Sequence, residues 1–315
     1  MKTESYFQVA QQLSKGIEEE IRALHHGTWK HHLIYLCYPS MLLFGMTLSA
    51  MAESWWSYGI GLGLTVLAMN ACFLLIHEAT HGLLCPNRSA NRWLAVVLSG
   101  FGFVSYSAYR AMHLQHHTHL GDENDPDDYA NYTDKKWLIW FLHYNRLLWA
   151  TILYTLVLPG VVRKRGTRED VKAMTTEYMI LLPIYVLVFL TVPLALLFKV
   201  WLMPFILTNF MINIRGLSQH GIADAQDPLL ASRSIEAGPL VRFCFVNENY
   251  HLEHHLFPGV PAFNLHRLHR LIKDRLPRKL VNRSYGEFLR AFFKATLKRD
   301  ESPIGLVTRE KETNV

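Results

Sequence analysis

Eight of the 17 histidines stand at short, regular spacings: His77/His81, His113/His116/His117 and His251/His254/His255. On an α-helix, residues i and i+4 project to nearly the same side and i+3 falls beside them. Each group can therefore aim its imidazoles at one point. Neutral imidazole is a good ligand for iron, zinc and copper. A lone histidine near a membrane end is ordinarily a satisfied interfacial residue. Three spaced groups are different, because polar side chains near lipid are costly and mark function. Eight candidate ligands suit two metal ions.

The first group also reads as His77-Glu78-Ala79-Thr80-His81, the H-E-x-x-H pattern of a zinc metalloprotease with glutamate as general base. An intramembrane zinc protease is thus one reading. It needs about three protein ligands on one metal, which leaves both His-x-x-His-His triplets unexplained. Carboxylates near the groups (Glu78, Asp122, Asp125, Asp127, Asp128, Glu248 and Glu253) are candidates to hold the free imidazole N–H and fix ring orientation. Asn247, four residues before His251, is a candidate for water-mediated contact with the metals. Arg110, just before the second group, could bind a carboxylate or head group. Of the other histidines, His25, His26, His31, His32, His143, His266 and His269 are read as interfacial, and His119, outside the i, i+3, i+4 set, as a supporting or surface residue.

The elements that carry these groups are apolar. Runs at about 33–51 and 58–76 are each long enough to cross a hydrocarbon layer of ~30 Å, and they form a transmembrane hairpin. The run at 93–106 is short and rich in Gly and Ser, so an interfacial or re-entrant piece is expected. The stretch 137–158 is broken by His143, Asn145 and Arg146 and is expected to lie at the interface. Residues 178–214 are too long for one crossing, which predicts two spans turning near Lys199. Lys and Arg concentrate between the second and third spans and in the C-terminal part. By the positive-inside rule both termini and the middle loop are cytoplasmic, and all three histidine groups reach that face.

The chain carries a formal charge of +6. Its basic residues flank apolar runs, and no nucleic-acid motif is present, so anionic lipid is the simpler partner. Residues 265–298 alternate apolar with Arg and Lys, as an amphipathic helix on lipid or a docking face for an acidic electron carrier would. The polar N-terminus lacks a secretory signal's apolar core, and residues 10–24 could form a surface helix. Cys37, Cys72, Cys85 and Cys244 form no C-x-x-C pair and are read as reduced packing residues.

HEATH at 77–81, HLQHH at 113–117 and HLEHH at 251–255, with Asn249-Tyr250 before the last and Leu256-Phe257-Pro258 after it, resemble the membrane fatty acid desaturase and hydroxylase superfamily. The acidic 125–127 segment adds to the likeness, which covers about residues 33–271. The resemblance implies two iron ions held by the eight histidines, O2 as co-substrate, and removal of hydrogen from an unactivated C–H bond. It also implies a further histidine ligand between the last span and the third box, where His220 falls. Electrons would come from a separate ferredoxin or cytochrome b-type carrier, since the chain has no haem, flavin or iron–sulfur pattern.

The expected fold is an all-α integral membrane protein with about four transmembrane helices, interfacial helices and a cytoplasmic cap holding the metal site. Residues 1–32 form a cytoplasmic N-terminal segment, 33–275 the catalytic domain and 276–315 a basic tail. The expected reaction is O2-dependent desaturation of an acyl chain in a lipid or fatty acyl thioester. A lipid or carotenoid hydroxylase or ketolase is the alternative, because both reactions begin with the same hydrogen abstraction. No catalytic residue is expected beyond the metal ligands His77, His81, His113, His116, His117, His220, His251, His254 and His255. Asn247, Glu78, Asp125 and Glu253 are the expected supporting shell.

Overall fold

A computed structural model describes residues 6–223, 227–277 and 281–297 of the chain. Two short helices, α1 (Tyr6–Ser14) and α2 (Glu18–Leu24), open it. The surface helix expected over 10–24 is broken at Gly16, whose φ of +81° is a left-handed conformation that glycine adopts without strain. Val9, Leu13, Ile21 and Leu24 are buried, so these helices pack onto the protein.

The hairpin α3 (Trp29–Ala50) and α4 (Trp55–Thr80) is the axis of the membrane part. Its helices meet through small residues. A Cβ on Gly45 would stand 2.8 Å from the Thr65 backbone nitrogen, and one on Gly61 2.7 Å from that of Ser49. Close backbone approach of this kind stands in for hydrophobic driving force in lipid. Ser54 caps α4, accepting from the Ser57 N–H at 3.2 Å. Trp29 at one end of the hairpin and Trp55 and Trp56 at the other are exposed, as interfacial aromatic belts require.

The amphipathic α5 (Arg88–Gly100) and α6 (Tyr106–His119) follow, then the long α7 (Lys136–Arg165). Next come α8 (Arg168–Thr191), the single turn α9 (Leu194–Leu197), a π-helical turn (Phe198–Leu202) and α10 (Met203–His220). The turn between the last two spans lies at Val192–Pro193, not at Lys199 as expected. Proline caps the new helix there, and the Lys199 ammonium reaches back to the carbonyls of Ala50 and Ala52, at 3.4 and 3.1 Å. A lysine at a membrane edge thus spends its charge on the carbonyl end of α3.

By length and composition five helices could cross a membrane, the fifth being Tyr144–Arg165 within α7. Counting crossings removes it. The second and third histidine groups meet in space, so an even number of crossings must separate them, and α8 and the 194–220 helix already supply two. The C-terminal end of α7 also lies beside the second box. Arg165 Nη1 donates to the Asn124 carbonyl at 3.0 Å, and Gln115 donates to the Arg165 carbonyl at 3.0 Å. The parity fits the expected four crossings, with α7 lying along the interface.

The remaining chain builds the cap: α11 (Pro239–Cys244), α12 (His251–Leu256), α13 (Ala262–Ile272) and α14 (Tyr285–Leu297). Two-residue strands β1 (Ser234–Ile235) and β2 (Val281–Asn282) pair in parallel, Ser234 with Val281. Phe288 and Phe292 of α14 are buried with Leu217 of α10, so residues 285–297 of the expected tail are packed structure. Residues 298–315 lie outside the described part. The four cysteines are free thiols.

Candidate metal centre

Each box ends or begins at a local stop. The first closes α4: His81 is its C-cap, Gly82 follows at φ +75°, and the Leu83 N–H returns to the Glu78 carbonyl at 3.0 Å, a Schellman-type finish. The second lies on α6, whose N-cap Ser105 donates to the buried carboxylate of Glu177 at 2.6 Å. Glu177 also accepts from the Ser107 N–H at 2.9 Å, anchoring the start of the helix to α8. His220 ends α10 at Gly221, where a Cβ would meet the Leu217 carbonyl oxygen at 2.4 Å. The third box begins α12 after Val246 and Asn247, both at positive φ, the sparsely populated conformation found where a site over-determines its backbone.

These stops bring nine imidazoles together. His77, His81, His113, His117 and His254 place one ligand atom each within 4.8 Å of one another, and so do His116, His220 and His255. His251 joins the second set, its Nε2 lying 3.0 Å from that of His255 and 3.2 Å from that of His220. Further Nε2 pairs are 3.0 Å apart for His81 and His113, 3.1 Å for His117 and His254, and 3.2 Å for His116 and His220. Two nitrogens bound about 2.1 Å from one metal at right angles are about 3.0 Å apart, so the spacing is that of neighbouring ligands. His77 Nε2 is buried without any hydrogen-bond partner. Such an orphan is costly unless a ligand completes it. The residues present therefore fit two metal ions, with donors on five and four histidines. The rings of His117 and His255, one from each set, stack 4.2 Å apart between them.

The protonation states agree. Burial holds His113, His117, His254 and His255 well below the ordinary imidazole value, His251 at about 4 and His81 at about 3. All are neutral at pH 7, the form that binds metal. Burial also pulls His116 down, but the facing Asp125 carboxylate outweighs it and holds this imidazole above its ordinary value. His116 Nδ1–H donates to Asp125 at 2.9 Å and His220 Nδ1–H to the Ala231 carbonyl at 2.9 Å, leaving each Nε2 free to ligate. The side-chain amide of Gln219 reaches His251 Nδ1 at 3.0 Å.

The expected supporting shell is met only in part. Asp125 takes its place against His116. Glu253 does not: its carboxylate bonds Ser234 Oγ and His269 Nδ1, on the far side of α12 from the imidazoles. Helix phase explains this, since residues one and two positions from His254 and His251 turn away from the site. His269 is accordingly buried, not interfacial, and its second nitrogen meets Glu236 at 3.1 Å. Glu78 lies beside His77 and Glu248, but it accepts from the Tyr35 hydroxyl at 2.7 Å and the Ala262 N–H at 2.9 Å. Both bonds fall on Oε2, which ties Glu78 to the start of α13, and a single-zinc protease site would leave the second histidine set unused. Among the described residues no side-chain hydrogen bond joins Asn247 to a box histidine. Arg110 is exposed, and the side chain of His143 lies outside the described residues.

The carboxylate that does reach both metal sets is Glu248. Fully buried, it stands 3.3 Å from His77 Nδ1 and 3.7 Å from His251 Nδ1. Its position three residues before His251 is legible, but its contact with His77 requires the fold.

Residues 53–286 match the family model described as fatty acid desaturase. The chain is 23% identical over 308 residues to a dihydrorhizobitoxine desaturase of Bradyrhizobium elkanii, covering 89% of this chain and 84% of that one. It is 28% identical to a sphingolipid delta(4)-desaturase/C4-monooxygenase of Homo sapiens, over 70% of this chain and 67% of that one. A beta-carotene ketolase of Paracoccus sp. (strain PC1) is 29% identical over 65% of this chain and 76% of its own.

Proposed function

Since this chain belongs to the fatty acid desaturase family, a group of multi-pass membrane oxidoreductases, we propose that it is a di-iron, O2-dependent desaturase acting on an acyl chain of a lipid or fatty acyl thioester. The observation that carries the reading is the convergence of nine histidines in two sets at one end of the membrane helices. Iron bound there would supply the O2 chemistry that no side chain performs. Desaturation removes two hydrogens from adjacent carbons, while O2 takes up those hydrogens, two electrons and two protons to give two waters.

The chain's own part is positional. Histidines supply no ligand charge, so both ions keep their full positive charge, offset by the buried Glu248 and by Asp125. Asp125 and the Ala231 carbonyl fix the tautomers of His116 and His220, and the burial of α12 keeps bulk water from the imidazoles. Electrons reach the site from a separate ferredoxin or cytochrome b-type carrier. The Lys and Arg distribution supports a cytoplasmic metal site with both termini on the same side.

A hydroxylase or ketolase is the second reading, supported by relatives named for oxygen insertion. Mass analysis of the product separates the two: loss of two hydrogens supports the desaturase, and gain of one oxygen overturns it. Two irons per chain with O2 uptake in the presence of reductant are expected. Loss of iron and turnover in both His116→Ala and His254→Ala is expected too, and normal turnover in both ends the di-iron assignment.

A further inference from the structure

The densest group of unsatisfied polar atoms lies behind the first box. Glu78 and Glu248 are fully buried and His77 nearly so. Oε1 of Glu78, both oxygens of Glu248 and Nδ1 of His77 are buried without a hydrogen-bond partner. The three side chains offer one donor atom each within 4.8 Å of one another. His77 Nδ1 and Glu248 Oε1 are 3.3 Å apart.

The fold holds these groups from behind. The other oxygen of Glu78, Oε2, accepts from the Tyr35 hydroxyl at 2.7 Å and from the Ala262 N–H at 2.9 Å, which fixes the carboxylate and leaves Oε1 free. Glu248 follows Val246 and Asn247, both at positive φ, and its N–H donates to the Phe245 carbonyl at 2.8 Å. A turn of this kind, delivering a buried carboxylate to one spot, is the strain that collects at ligand-binding positions.

Charge decides what belongs there. Two carboxylates side by side in a low-dielectric interior must be compensated. Among the described residues neither pairs with a lysine or arginine, and the ionic neighbours of Glu248 are the imidazoles of His77 and His251. Both contacts run to Nδ1, while Nε2 of His251 turns to His220 and His255. The carboxylates therefore stand behind the ligand rings, outside the two histidine sets. Two donors about 2.0–2.2 Å from one divalent ion are about 3 Å apart at a right angle and about 4.3 Å apart when opposite. The 3.3 Å contact has that spacing, and the third donor is close enough to share the ion. Two carboxylates neutralise one divalent cation.

We propose that Glu78, Glu248 and His77 form a third cation site, behind the five-histidine set, for a divalent metal ion. The inference goes beyond the oxidoreductase reading and gives the ion no step in that reaction. Nδ1 of His77 becomes a donor once its proton has passed to solvent, so this ring ties the third ion to the set that its Nε2 serves. Glu78 thereby acquires a part in the first box that is neither that of a protease base nor that of an iron ligand.

The test is a manganese titration of the full-length, iron-loaded protein in detergent, read from the EPR signal of free Mn2+. Imidazole sites prefer Fe2+ to Mn2+, and carboxylate oxygens suit Mn2+, so the probe leaves the histidine sets loaded. The wild type is expected to take up one tight Mn2+ per chain with its iron content unchanged. Glu78→Gln and Glu248→Gln are each expected to weaken that binding about a hundredfold or more, as loss of one partner of a buried ion pair does. In the wild type, pulsed EPR should show the bound Mn2+ coupled to nitrogen of a single imidazole and broadened by the neighbouring iron. Absence of a tight equivalent overturns the proposal, because a proton shared by the two carboxylates then balances the charge. So does binding that survives both substitutions, the mark of the acidic loop at 122–128. Uptake matched by loss of iron overturns it too. Should either variant fail to fold, the two couplings of the wild-type ion decide: a bound Mn2+ that shows neither lies elsewhere on the chain and ends the assignment.

Discussion

Replacing Glu248 by Gln keeps the volume and removes the one buried charge that faces both histidine sets. The contacts at stake are 3.3 Å to His77 Nδ1 and 3.7 Å to His251 Nδ1. Neither Glu248 oxygen makes a hydrogen bond of good geometry, so these are ionic contacts, for which the about 1.5–3 kcal/mol of a hydrogen bond to a charged group is an upper bound. These separations are long, so the lower end applies: about 1.5 kcal/mol at His77 and less at His251. With a factor of ten for every 1.4 kcal/mol, iron affinity should weaken about tenfold in the five-histidine set and severalfold in the other. That magnitude lies at the low end of the 10–100-fold effects typical of groups that orient metal-bound histidines. The assay is iron retention against a graded series of chelator concentrations, measured as iron per chain. The expected curve has two steps, both moved to lower chelator, the larger move in one. A Glu248→Gln curve superimposed on the wild type would refute the reasoning, because a buried charge between two metal sets cannot be removed without effect if both sets hold cations.

Glu253→Gln should behave in the opposite way: iron affinity stays put while the melting temperature falls, since one of the two oxygens that serve Ser234 and His269 becomes an amide donor and leaves a buried group unsatisfied, at a cost of about 1–3 kcal/mol. A changed chelator curve with unchanged melting would reverse the two assignments. Gly61→Ala forces a Cβ to within 2.7 Å of the Ser49 backbone nitrogen, and detergent-solubilised protein should lose about 1–3 kcal/mol of stability; an unaltered melting curve would mean that α3 and α4 are not this close. Metal-free protein should lose stability as pH falls below about 6.5. The depressed imidazoles stay neutral in the folded state while the unfolded chain takes up their protons, so the contribution is full above about pH 6.5 and is lost towards about pH 4 for His251 and about pH 3 for His81. Each such group adds a slope of about 1.4 kcal/mol per pH unit, and a flat denaturation profile between pH 6.5 and 4.5 would contradict the burial described.

The box histidines were legible because helical spacing alone aims i, i+3 and i+4 at a common point. The division between the two sets followed less directly. Adjacent residues on a helix diverge by about 100°, and the pairs His116/His117 and His254/His255 each send one ring to either set. Glu253 shows the opposite hazard: a carboxylate inside a box is close in sequence yet turned away by the same helical phase. Tyr144–Arg165 is long and apolar enough to cross, yet the polar residues His143, Asn145 and Arg146 already pointed to the interface, and the meeting of the second and third boxes agrees with that reading. Lys199 misplaced a turn, since its partners belong to a hairpin far away in the chain.

The third box supplies a ligand to each set, His254 to one and His255 to the other, and the chain ends are fastened over it. Arg275 Nη1 donates to the carbonyls of Leu13 and Lys15, at 2.6 and 2.9 Å, and Asn264 donates to that of Leu24 at 2.7 Å. During synthesis, then, neither set is complete while the ribosome is still short of residue 255, and the clasp over the N-terminal helices closes only once residue 275 has emerged. A chain stalled after its fourth crossing carries six of the nine imidazoles and holds no finished site. A metal that needs either full set can therefore be held only after every membrane helix has been threaded into the bilayer.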